Sequence, residues 1–125
     1  MLLAVGAVPT EAAARDKHLP LPADATIQIG EKTMGHTHSD EVEMCKTYTV
    51  TPREIRSYFR TYVIIDSHQN HYLYRQPDCF IKGTVTIHGK TFKWIANPGG
   101  TLGTTYPDGI QKDLGTTDPA MLDTP

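Results

Sequence analysis

Two cysteines, one tryptophan and no excess of charge of either sign are the scarcities that bound this 125-residue chain. With 12 Lys and Arg against 14 Asp and Glu, the formal charge is -2, and no basic field arises that would gather nucleic acid or anionic lipid. Beyond the first residues, no apolar run is long enough to cross a bilayer, so stable membrane insertion is not expected. No H-E-x-x-H, paired Cys motif or G-x-S-x-G elbow occurs, and Gly99, Gly100 and Gly103 lack the lysine and following helix of a phosphate loop. Asp66-Ser67-His68 has the residue types of a hydrolase triad, but neighbouring positions cannot place three side chains in a relay. Glu41 and Glu43 are the only close carboxylate pair on one strand face, too little for paired acid–base work. These absences point away from an enzyme and from a resident cofactor. Neither a repeat nor a low-complexity linker divides the chain, so one domain is expected.

What is present reads as globular. Hydrophobic residues make up 38% and charged residues 21%, a composition able to bury a core. The first eight residues are all apolar or glycine and none carries a charge, and Ala12-Ala13-Ala14 precedes Arg15. That pattern matches the apolar stretch and cleavage site of a signal peptide without its cationic start. Residues 1–14 are therefore expected to be a signal-peptide remnant, the alternative being an Ala-rich tail, and the protein to be periplasmic or secreted. In such a compartment two cysteines favour a disulfide, Cys45 to Cys79. Closing that loop removes unfolded-state entropy worth roughly 3.5 to 4 kcal/mol. Two buried thiols are the alternative.

Along the chain, Ala25, Ile27 and Ile29 alternate with polar neighbours and predict a strand, as does the alternation from Val42 to Val50. Thr51-Pro52-Arg53-Glu54 then carries a capping box with proline at the first helical position. Ile55, Tyr58, Phe59, Tyr62 and Val63 form one apolar face, which must lie on a sheet. β-branched Val63-Ile64-Ile65 ends the helix; a turn is expected over 66–70 and a strand over His71–Arg75. His88-Gly89 joins two further strands as a hairpin. Its register pairs Val85 with Phe92 and Gly83 with Trp94 on one face, leaving Thr84, Thr86, Thr91 and Lys93 on the other. Pro107-Asp108-Gly109 turns the chain before a last strand at Ile110–Leu114. The expected architecture is α+β: an antiparallel sheet of about five or six strands, one packed α-helix and one disulfide within 15–115, with 116–125 a disordered tail.

Cys45, Tyr48, Val50-Thr51 with Ile55 and Phe59, then Cys79, Gly83, Gly89, Trp94 and Asp108-Gly109 form a pattern over Cys45 to Gly109. It resembles that of small exported proteobacterial proteins, mostly uncharacterised, some similar to immunity proteins that neutralise secreted toxins. The resemblance implies a periplasmic binding protein, an immunity-type inhibitor with a protein partner. This chain departs from the pattern at its last strand, where Gly115 rather than a cysteine follows Leu114.

Two surfaces are candidates for that partner. Arg53, Arg56 and Arg60 fall on the helix face opposite the apolar one, where three solvated arginines are also an ordinary exterior. Tyr72 and Tyr74 supply amphipathic contact area or sheet packing. The alternative function is histidine-based metal binding, since His36 and His38 lie two apart and His68 and His71 three apart, spacings suited to imidazole ligation.

Overall fold

The structure, a computed structural model, describes residues 17–35 and 41–121. The signal remnant expected over 1–14, His36 and His38, and residues 122–125 lie outside the described residues. Thr51 Oγ1 accepts the Glu54 N–H at 3.1 Å and Glu54 Oε1 accepts the Thr51 N–H at 2.9 Å, so the predicted capping box starts a helix over Pro52–Thr61. This helix is the second of three: α1 is Val42–Thr47, α2 is Pro52–Thr61 and α3 is Ser67–Leu73. The strands are β1 Thr26–Met34, β2 Val63–Ile65, β3 Cys79–Ile87, β4 Lys90–Asn97, β5 Thr101–Thr104 and β6 Lys112–Gly115. They form one antiparallel sheet in the order β1-β3-β4-β5-β6-β2.

His88 and Gly89, at φ 48° and 82°, make the hairpin turn, and the register is the expected one, Val85 opposite Phe92 and Gly83 opposite Trp94. A Cβ on Gly83 would run into the Trp94 ring, so the glycine is what lets the indole lie flat on β3. The indole N–H donates to the Thr84 carbonyl at 3.0 Å, which satisfies the one polar atom of a side chain only 1% exposed. Around it Ile55 and Phe59 of α2 pack with Val85, Ala96, Leu102 and Leu114 as the core on one face of the sheet. Burying side chains of this size contributes about 1.5–3 kcal/mol each, so this single layer carries most of the apolar stabilisation. Cys45 and Cys79 are joined, both fully buried, tying α1 to the start of β3.

Four expectations need correction. The segment from Val42 is helical to Thr47, not a strand. Its apparent alternation is too short to fix a period, Glu43, Met44 and Lys46 favour helix, and Cys45 is its one buried residue. The strand expected over His71–Arg75 is also absent, because 67–73 is helical. Asp66 Oδ1 accepts the Gln69 N–H at 2.8 Å and Gln69 Oε1 the Asp66 N–H at 2.9 Å, a second capping box read from sequence as a turn. The single packed helix becomes three helices among the described residues. The tail expected to be disordered from 116 starts as part of the fold, with 117–121 exposed and a short 3-10 turn at Pro119–Met121: Thr116 is buried, its N–H bonds Gly100 O at 2.8 Å, and its carbonyl accepts the Tyr74 hydroxyl at 2.8 Å.

Candidate binding face of the sheet

Strand alternation gives the sheet a second face, and the hairpin decides what it carries. With Ile81, Gly83 and Val85 turned to the core, Lys82, Thr84 and Thr86 face the other way. On β4, Trp94 and Ala96 are buried, so Thr91, Lys93 and Ile95 share that outer face. The pairing sets Lys82 opposite Ile95 and Thr84 opposite Lys93, which makes the two lysines diagonal neighbours on adjacent strands.

Among the described residues, only one end of this face is covered. Helix α3 sits over β6, where Asn70 Nδ2 donates to Asp113 Oδ2 at 3.3 Å, and the Tyr74 ring lies against Gly115. Over β1, β3, β4 and β5 no described residue covers the face, which forms a shallow basin of about 580 Å³. Gly30, Thr84, Ile95 and Gly103 contribute its floor, with Lys82, Lys93, Glu31 and Gln111 around them. Ile95 is 41% exposed although its strand lies inside the sheet. The Lys82 ammonium stands 5.6 Å from the centre of the Phe80 ring. The ion pairs among the described residues are His88 with Asp24 and Lys112 with Asp108, so neither basin lysine is matched to a carboxylate. The arrangement is an apolar floor with ammonium groups at its edge, suited to holding an anionic group beside an aliphatic one.

Titration is perturbed elsewhere. Asp24 is held below the usual carboxylate range by its hydrogen bond to His88, and Asp108 by its hydrogen bond to Lys112. Burial raises Tyr48, Tyr58 and Tyr62, which lie together beside α2, with Tyr58 and Tyr62 stacked at 4.7 Å between centroids. Tyr74 is raised by burial as well.

The residues singled out from sequence are dispersed. Cys45 and Cys79 meet as read. Arg53 and Arg60 are exposed, but Arg56 is half-buried and its guanidinium donates to Pro22 O at 2.9 Å and Ala25 O at 2.7 Å, so it holds the chain leading into β1 to α2. Tyr74 is 4% exposed and its hydroxyl is engaged, which removes it as contact surface; Tyr72, 62% exposed, stays available. His68 and His71 both pack on the Tyr72 ring, at 4.6 and 4.7 Å between centroids. Among the described residues, no group of three His, Cys, Asp or Glu side chains converges on them or anywhere else. Lys82 and Ile95 were not singled out at all, although the hairpin register that placed Lys93 outward places them beside it. No helix among the described residues is long and apolar enough to span a membrane, and a disulfide is compatible with an extracellular setting. No family model, curated protein or solved structure matches the chain.

Proposed function

We propose that this is an exported, non-enzymatic binding protein, an inhibitor of the immunity type acting on a secreted toxin or envelope enzyme, and that it meets its protein partner with the open face of its sheet. The observation that carries the reading is the exposure of Ile95 between Lys82 and Lys93 on a face that α3 leaves bare. Aliphatic surface ringed by unpaired charge on a rigid sheet is what an interface core with a polar rim needs. The buried disulfide supports an oxidising compartment. The perturbed carboxylates supply ion pairs that pin loops, and the raised tyrosines supply packing beside α2, so their shifts have structural causes.

The test is capture from an envelope extract with the wild-type protein and with Lys82→Glu/Lys93→Glu as parallel baits. A protein retained by the first and lost from the second supports the reading. A set of captured proteins identical for both baits, or none for either, contradicts it.

A further inference from the structure

Resting on that reading, we infer that the basin receives an acidic segment of the partner, an aliphatic side chain flanked by carboxylates in extended backbone. Three features of the basin specify this chemistry. Lys82 and Lys93 present ammonium groups with no carboxylate partner among the described residues. Their stems flank Ile95, which offers the apolar seat between them. Apart from Glu31 at the β1 side, the remaining polar groups, among them Thr84, Thr105 and Gln111, hydrogen-bond without adding charge.

Geometry favours extended backbone over a compact anion. Lys82 and Lys93 sit diagonally across neighbouring strands, a separation of about 7–8 Å at the side-chain roots. Alternate residues of an extended chain project to one side about 6.6 Å apart, so carboxylates on either side of an aliphatic residue stand about 13 Å from each other; lysine stems rooted closer together span that distance by splaying apart, as Lys82 does in leaning toward the Phe80 ring, on the side away from Lys93. Lysine fits this task because its ammonium is a compact charge on a flexible stem that tolerates small errors of register. Glu31 at the β1 side of the basin works against the same ligand, and so orients the acidic segment toward β4 and β5.

The experiment is a titration of the full chain, followed by backbone amide NMR, with the peptide acetyl-Glu-Thr-Leu-Thr-Glu-amide. Parallel titrations use the same peptide with both Glu replaced by Lys, and inorganic phosphate. Expected are shifts clustered at 82–84, 93–95 and 103–105, with a dissociation constant at or below about 1 mM. Affinity should weaken at least about tenfold in Lys82→Glu/Lys93→Glu and strengthen in Glu31→Gln, and it should fall with added salt. Ile95→Thr, which keeps a β-branched residue, should weaken binding without altering the rest of the spectrum. Equal binding of the lysine peptide, the same shifts from phosphate alone, shifts confined to α3, or no shifts at all would overturn the assignment. Self-association of the chain through this face, seen by sedimentation, would overturn it too by naming a second copy as occupant. Each of those outcomes leaves the envelope capture to decide separately whether the face binds a partner.

Discussion

Lys32, on the outermost strand, directs its ammonium at the carbonyl oxygens of Cys45, Lys46 and Tyr48, at 2.8, 3.0 and 3.1 Å. They are carbonyls at and just past the end of α1, of which Cys45 O also accepts the Tyr48 N–H at 3.4 Å, so one side chain gathers the carbonyls that close this helix. Replacing it by methionine keeps the stem and removes the donors. The expected loss, discounted for solvent exposure, is about 1 kcal/mol in urea unfolding. Gly83 is the opposite kind of residue, important for what it lacks. Gly83→Ala forces a methyl group into the Trp94 ring and should destabilise by about 3 kcal/mol, with a changed near-ultraviolet dichroism from the displaced indole. Sequence made the Gly83 and Trp94 pairing legible, because hairpin register follows from one turn. It could not reveal Lys32, whose partners lie 13 to 16 residues away across a segment read with the wrong period.

At the scale of elements, legibility tracked local signals. The capping box at Thr51 and the turn at His88-Gly89 are short-range devices, and both elements formed where expected. Asp66 and Gln69 form the same device, yet the sequence reads there as a turn over 66–70 and a strand over 71–75, because the helix is short and buries none of its residues. Removing each cap tests whether both matter. Thr51→Ala should cost about 1 kcal/mol, since α2 carries the core, whereas Asp66→Ala should loosen α3 with a smaller global effect. Beside α2, burial raises the tyrosine pKa values above the ordinary value of about 10. The folded state then holds these protons more tightly than the unfolded chain does. Stability is therefore unchanged by these groups below pH about 10 and falls as pH rises above it. Unfolding midpoints between neutral and alkaline pH, followed alongside tyrosinate absorbance, should show the Tyr48, Tyr58 and Tyr62 phenols ionising only as the fold is lost. Ionisation of these three in the folded protein at the ordinary tyrosine pH would contradict the packing described.

The whole molecule is a sheet with unequal faces and guarded edges. At one edge the Ile64 N–H is taken by Lys17 O at 2.8 Å. At the other, β1 is long and largely exposed, but its pairing is irregular between Ile29 and Lys32, with charges at Glu31 and Lys32, devices that discourage strand addition. The helical face and disulfide were readable because apolar periodicity and cysteine count report on burial. The open face was not, because a binding surface on a sheet leaves only alternating polar residues in the sequence, the same trace as ordinary solvated strand. The buried bond between Cys45 and Cys79 closes a loop of 34 residues, so the double alanine variant should lose roughly 3.5 kcal/mol of stability while keeping Lys82, Lys93 and Ile95 in place in any fraction that folds.

Differential lysine labelling tests the role of the open face most directly. The protein is reductively methylated once purified and once within envelope extract, and the extent of reaction at each lysine is read by mass spectrometry. Selective protection of Lys82 and Lys93 in the extract, with Lys17, Lys46 and Lys90 reacting as before, is the predicted result. Unchanged reactivity of both basin lysines, with protection appearing at the other positions instead, would contradict the account.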